Sequence, residues 1–291
     1  MTATVAILMP GDMGHGVGQA LIARGHRVLS CLAGRSAHTR GLAERAGIED
    51  GGTLPDVVGA ADVILSILPP DQAVAQAEAV AAAIRGSDLA PAYIDCNAIS
   101  PMTLHRVAAC FEGTGATVID CGIIGLNPIK APPTRFYVSG PDCSAAHLIA
   151  GDNLKVVEIS DRIGRASALK MVYAAGTKGV WTLQTALLMT AARQGVLEPL
   201  LDELAYSQAA QLGAMRSRIP VIPADSARWV PEMEEIADTF ADAGVTDGFH
   251  RGAAEVFRVL SRTPFADETR ETLDTSRTLE DALAEYIRHL D

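Results

Sequence analysis

The sequence predicts an α/β domain over residues 1–162 followed by an all-helical domain over residues 163–291, the two joined by a long helix. Three observations carry this expectation. Short, nearly continuous apolar runs alternate with helical stretches through the first part of the chain, the pattern of a parallel sheet covered on both faces. From Arg165 to Arg193 the residues read as one long helix with few charges. Beyond that helix only helical patterns follow.

The elements come in order. Val5–Leu8 is an apolar run that ends in a glycine-rich turn, and Gln19–Ala23 belongs to the helix after it. His26–Leu32 reads as the second strand, and Asp62–Leu68 as the third, stopped by Pro69-Pro70. Ala92–Asp95 is the fourth, followed by Ser100-Pro101, a good helix start. Thr117–Asp120, Arg135–Val138 and Leu154–Ile159 complete a set of seven. After the long helix, helical periodicity covers Glu198–Leu212, Glu232–Ala243, Gly248–Leu260 and Thr278–His289.

Composition removes several function classes. Hydrophobic residues make up 48% and charged residues 20%, enough for a sizeable core and against global disorder. The 35 acids against 24 bases, a net charge of −11, argue against nucleic acid or an anionic membrane surface as the main partner, because such binding rests on clustered Lys and Arg. No apolar run approaches the roughly 20 residues that span a bilayer. The start lacks a basic segment and turns at once into Gly11-Asp12, so it reads as a strand and not a signal peptide. The five cysteines form no C-x-x-C and no zinc spacing; reduced thiols in a cytoplasmic protein without a metal are expected.

The turn after the first strand reads Met9-Pro10-Gly11-Asp12-Met13-Gly14. A Rossmann-like dinucleotide turn uses glycines for the tight turn, for close approach of a pyrophosphate and for helix–strand packing. Here Met9 takes the first place, with Gly11 and Gly14 in the other two. The helix that follows offers free N–H groups and a positive dipole end to a phosphate. Gly11, Asp12, Met13 and Gly14 are therefore the expected pyrophosphate contacts. An NAD site usually carries an acid about 20 residues on, at the end of the second strand. No acid stands between Asp12 and Glu44; the strand ends in Leu32-Ala33-Gly34-Arg35-Ser36. Arg35 and Ser36 suit a 2′-phosphate, with Arg40 assisting, so NADP(H) is the expected cofactor.

The chain has only four lysines, and Lys170 and Lys178 both lie in the long helix. At a period of 3.6, Lys170, Tyr173, Ala174 and Thr177 share one face. A lysine on an apolar helix is costly unless its head reaches water, a partner or a ligand. Taken with the glycine turn, Ile67-Leu68-Pro69, Asp95-Cys-Asn-Ala-Ile-Ser-Pro101, Asp120-Cys-Gly-Ile-Ile-Gly125 and the six-residue step from Gly164 to Lys170, the sequence resembles the β-hydroxyacid dehydrogenase superfamily. That group includes 6-phosphogluconate and 3-hydroxyisobutyrate dehydrogenases. The tail, through Arg228-Trp-Val-Pro-Glu-Met-Glu-Glu-Ile236 and Asp247-Gly-Phe-His250, resembles a less characterised bacterial subgroup.

The resemblance implies an NADP-dependent oxidoreductase that moves a hydride between the nicotinamide and a hydroxy or oxo compound, with Lys170 as general acid/base. It also implies a homodimer built by the helical domain, a cleft closed over a small-molecule substrate, Leu68, Pro69 and Asn97 near the nicotinamide, and Gly125, Tyr173 and Thr177 on the substrate side. The chain departs from the family where substrate carboxylates are held. Tyr173 and Ala174 stand for two asparagines, Ile124 and Leu126 for a serine and a glycine, and Asn97-Ala98 for a Ser-Thr pair. The family's lysine in the second domain has no counterpart, and Glu232-Met233 stands near its place. A substrate larger or less anionic than a small 3-hydroxy acid is expected. Two alternatives remain: an imine or ketone reductase on the same scaffold, and a non-catalytic NADP(H)-binding sensor. Lys178, His250 and His15 stay open between site and scaffold, Trp229 reads as packing, and Asp95 and Asp120 read as strand-end residues.

Overall fold

In a computed structural model that describes residues 2–129, 133–269 and 271–290, eight strands form a single sheet. The strands are β1 (Thr4–Ile7), β2 (Arg27–Ser30), β3 (Glu49–Asp50), β4 (Val63–Ser66), β5 (Ala92–Asp95), β6 (Thr117–Ile124), β7 (Thr134–Ser139) and β8 (Leu154–Ser160). Their order is β3-β2-β1-β4-β5-β6-β7-β8, which is the doubly wound order over the first six. Helices α1 (Gly14–Ile22), α2 (Ala37–Ala46), α3 (Leu54–Ala60), α4 (Ala73–Ile84) and α5 (Pro101–Cys110) connect those strands. Strand residues alternate between the two faces as a period of two requires. Val5 and Ile7 pack with Val17 and Leu21 of α1, while Ala6 and Leu8 pack with Val57, Val80 and Ile84 on the other side.

The chain divides into two compact units, Met1–Met171 and Val172–Asp291. The expected boundary between residues 162 and 163 therefore moves into the helix itself, because the first turn of α6 (Arg165–Ala174) is hydrogen-bonded to β6 of the first unit. The long helix is also not uniform. After α6 comes a π-helical turn at Ala175–Gly179, and then α7 (Val180–Arg193). That segment, Ala-Gly-Thr-Lys-Gly, has little side-chain bulk to resist the wider turn.

Other expectations needed correcting. The sheet is mixed, since β7 runs antiparallel to β6 and β8 parallel to β7. The strand β3 was not expected; its two exposed acids carry no apolar signal. The stretch expected as one helix over Glu198–Leu212 breaks into α8 (Leu197–Ser207) and α9 (Ala209–Arg218). Then follow α10 (Pro223–Asp242), which holds Pro231 inside it, α11 (Gly248–Leu260) and α12 (Leu279–Arg288). Met233, Ile236, Phe257, Leu260 and Tyr286 form the buried centre of this second unit, and Tyr286 Oη donates to the carbonyl of Ile219 at 2.8 Å.

Candidate active site

The carboxyl edge of the first unit's sheet begins at the glycine turn. A Cβ on Gly14 would stand 2.4 Å from the carbonyl oxygen of Met9, so α1 passes too close to the end of β1 for any other residue. A Cβ on Gly11 would meet nothing within 4 Å, which leaves the room that a pyrophosphate needs. Met9 fills the first glycine place with ordinary backbone, since no described residue other than glycine has a positive φ. His15 Nδ1 bonds the carbonyl of Gly11 at 2.8 Å and braces the turn from within. No acid stands in the first turn of α1. These features fit a dinucleotide pyrophosphate at the N-terminus of α1.

Arg35 lies against the same turn. Its Nη2 donates to the carbonyl of Leu8 at 3.1 Å, and its Nη1 lies 3.8 Å from the sulfur of Met9. Ser36 is the N-cap of α2, accepting from the backbone N–H of Thr39, and the first turn of α2 also lacks an acid. Arg40 Nε donates to the Arg35 carbonyl at 3.2 Å. Two guanidinium groups and a helix N-terminus thus gather at the end of β2, with donors to spare for an anion.

Farther along the edge, Asn97 is turned inward. It is buried, and its Oδ1 accepts from the N–H of Leu68 at 2.6 Å. Its Nδ2 donates to Ser66 Oγ at 3.0 Å and to Asp95 Oδ2 at 2.9 Å. Asn97 therefore ties the ends of β4 and β5 together and fixes the Leu68-Pro69 segment, and Asp95 serves the same network. Asn127 joins the edge from the loop after β6, where its Nδ2 donates to the carbonyl of Asp12 at 2.5 Å. Its amide sits where a Cβ on Gly16 would be, which explains a glycine there. Sequence reading missed this contact because it links residues 115 positions apart.

Strand β6 runs four residues beyond the pair Asp95–Asp120 that ends β5, and it carries the lysine helix. A Cβ on Gly122 would stand 2.7 Å from the carbonyl of Ala166 and 2.9 Å from Cβ of Lys170, so helix and strand touch backbone to backbone. Lys170 is half-buried, and among the described residues of its own unit nothing hydrogen-bonds its amine. The carboxylate of Asp120, wholly buried, accepts from Ser139 Oγ, from the N–H of Ala166 and from the N–H and hydroxyl of Ser167. Burial pushes that carboxyl up, while the bonds from Ser167, Ser139 and Ala166 pull it back. Gly125 follows with φ of 137°, a backbone state that suits glycine alone, and Leu126 after it is 58% exposed.

The remaining sequence candidates lie in the second unit. Tyr173 is 51% exposed, Ala174 is buried, and Thr177 spends its hydroxyl on the carbonyl of Ala174 at 3.1 Å, so these three do not present one uniform face. Lys178, on the π-turn, pairs with Glu232 of α10 and lies 5.2 Å from the ring centre of Trp229. Trp229 is buried between Trp181 and Phe257, as packing. His250 is buried edge-on against Phe240, 4.4 Å between centroids, and its Nδ1 has no partner among the described residues. Burial lowers its pKa from the ordinary 6.5. The folded unit thus favours the neutral ring, and the unfolded chain binds the proton first as pH falls. Stability should be full above that ordinary value and decline as pH drops below it. Denaturant midpoints at pH 7.5 and 5.5 should differ less in His250→Phe than in the wild type; an equal loss in both would refute this role for His250.

Comparisons with known proteins agree with this architecture. The family described as "NAD binding domain of 6-phosphogluconate dehydrogenase" matches residues 4–148, and a "domain of unknown function (DUF1932)" matches residues 191–260. An uncharacterised 28.5 kDa protein of Methanothermus fervidus is 25% identical over 177 residues, 61% of this chain and 66% of that protein. The 3-hydroxyisobutyrate dehydrogenase of Pseudomonas aeruginosa is 29% identical over 142 residues, 47% of this chain and 46% of the enzyme. The chain thus spans less than two thirds of the length of either relative. Among solved structures, the 3-hydroxyisobutyrate dehydrogenase of Mycobacterium tuberculosis with L-serine is similar at a TM-score of 0.68 and 21% identity, over 98% of this chain and 99% of that one. A reductive aminase from Aspergillus terreus in complex with NADPH and ethyl-5-oxohexanoate follows at 0.55 and 17% identity, over 99% and 100%. Both likenesses are likenesses of fold.

Proposed function

The chain belongs to the β-hydroxyacid dehydrogenase superfamily, a family of oxidoreductases with an NAD(P)-binding domain, and from that premise we propose that it is an NADP(H)-dependent oxidoreductase acting on a hydroxy or oxo compound. The observation that carries the proposal is Lys170, packed over Gly122 where β6 overhangs the edge of the sheet, with no partner for its amine among the described residues of the first unit. Ligands of open α/β sheets bind outside the carboxyl ends of the strands, which is the same edge. Gly11, Asp12, Met13 and Gly14 would hold the pyrophosphate, Arg35, Ser36 and Arg40 the 2′-phosphate, and Leu68 and Pro69 would border the nicotinamide. When bound, the nicotinamide supplies or accepts a hydride. Lys170 gives a proton to the substrate oxygen on reduction and takes it back on oxidation.

The substrate is proposed to be less anionic than a small 3-hydroxy acid. Asn97 spends its amide inside the protein, and Ile124 and Leu126 offer no side-chain donor to a carboxylate. Gly125, Tyr173 and Thr177 remain the proposed substrate neighbours. The same lack of carboxylate donors favours a second reading, reduction of a ketone or imine, and the similar fold of the reductive aminase supports it. Purified protein should consume NADPH with one member of a panel of oxo acids, aldehydes, ketones and cyclic imines, read at the nicotinamide absorbance band. Tight NADPH binding with no turnover on any of them would favour a sensor instead.

A homodimer is proposed as the working form. Val180, Leu183 and Leu187 make an apolar stripe on α7, with Leu183 68% exposed, and a second copy of the chain would cover it. Light scattering at micromolar concentration should give twice the monomer mass, and a monomer would contradict this. Five unpaired cysteines suit a cytoplasmic setting.

A further inference from the structure

Helix α6 lacks a capping side chain of its own. It starts directly after Gly164, whose φ of 93° only glycine accepts easily and which carries no side-chain oxygen. The first N–H groups of a helix have no partner within it and need one from elsewhere. Asp120, 46 and 47 residues earlier on β6, fills that place. Its Oδ2 accepts from Ala166 N at 2.9 Å, and its Oδ1 accepts from Ser167 N at 3.1 Å and Ser167 Oγ at 2.6 Å. Ser139 Oγ of β7 donates to Oδ2 at 2.8 Å and holds the carboxylate from behind. The two backbone N–H groups can only donate, so both carboxylate oxygens serve α6 as acceptors. Two residues farther along β6, Gly122 lets the next part of α6 rest on the strand, with Lys170 Cβ at its closest approach.

Resting on the reading of Lys170 as acid/base, we propose that Asp120 is a positioning residue, which pins the first turn of α6 to β6 and so fixes where the Lys170 amine stands. Lys170 lies one turn after Ser167. A shift of the capped turn is carried straight to it, because a helix of hydrogen-bonded backbone moves as a unit. Asp120→Asn is the informative change. It keeps the shape, yet either orientation of the amide sets an NH2 against at least one backbone N–H of the first turn.

The test combines turnover with a readout that needs none. The chain's four lysines, Lys130, Lys155, Lys170 and Lys178, can be reductively methylated with ¹³C, and the Lys170 signal identified by its absence in Lys170→Arg. In Asp120→Asn the Lys170 resonance should shift while that of Lys155 stays, and kcat should fall about 100-fold with KM and NADPH affinity kept, the size of loss that misplacement by about 1 Å produces. Gly122→Ala, which leaves the cap but pushes helix from strand, should reproduce the pattern and serves if Asp120→Asn does not fold. An unmoved Lys170 resonance in both variants overturns the proposal, and so does a wild-type kcat in both variants where the wild type is active. A wild type inactive on every substrate, with the resonance shifted, upholds the positioning by Asp120 and removes the oxidoreductase reading alone.

Discussion

Lys170→Ala is expected to lower turnover by about 10²–10⁴-fold and leave NADPH binding as it was, the range for removing a general acid or base. The reason lies in where the lysine sits. Gly122 has no side chain, so the helix backbone closes on β6 and the Lys170 stem is set at the overhang. The turn proposed for the pyrophosphate, by contrast, is braced through Gly14, His15 and Asn127, in contacts that do not involve Lys170. On the proposed reading, losing the amine therefore removes the proton carrier without loosening the cofactor cradle. Lys170→Arg keeps the charge but holds its proton too firmly to pass it on, so it should fail almost as badly. Stopped-flow or steady-state turnover, paired with a fluorescence titration of NADPH, checks both halves. A Lys170→Ala protein with wild-type kcat would sink the assignment, and one that no longer bound NADPH would show that the lysine serves the cradle instead.

What the sequence disclosed follows from which forces are local. Strands buried on both faces leave uninterrupted apolar runs, so β1, β2, β4 and β5 were legible. Strand β3 was not, because Glu49 and Asp50 are exposed acids at the sheet's margin and carry no apolar run. The direction of β7 was hidden too, since the alternation of apolar residues is the same in parallel and antiparallel partners. Lys170 and Arg35 were named from sequence because charge stood in a place that needs explaining. Asp120 reads in sequence as a strand-end residue, although one local signal points further: a helix beginning right after Gly164 has no cap of its own and must borrow one. Asn97 adds a further case. Nothing local says that its amide ties Ser66, Asp95 and Leu68 together at the ends of β4 and β5.

Arg35→Ala is expected to cut the preference for NADPH over NADH by roughly 10- to 100-fold, because hydrogen bonds to a charged group contribute about 1.5–3 kcal/mol. The ratio, not the affinity, is the quantity that isolates the 2′-phosphate. Arg35 also donates to Leu8 O and lies on the Met9 sulfur, and those contacts steady the turn for either cofactor. Their loss should weaken NADPH and NADH alike and cancel in the ratio. Ser36→Ala carries the same complication, since Ser36 caps α2. Arg40, whose Nε is tied to the Arg35 carbonyl, should give a smaller change in the ratio when replaced by alanine. The acid that an NAD site would use is missing, and Asp50, paired with Ser30 at the end of β2, accepts from the N–H groups of Leu32 and Gly52. NADH therefore gains no new partner when Arg35 is removed, and the wild-type preference should collapse toward parity without inverting. Equal affinity of the wild type for the two cofactors, or a ratio untouched in Arg35→Ala, would rule out a 2′-phosphate site at the end of β2.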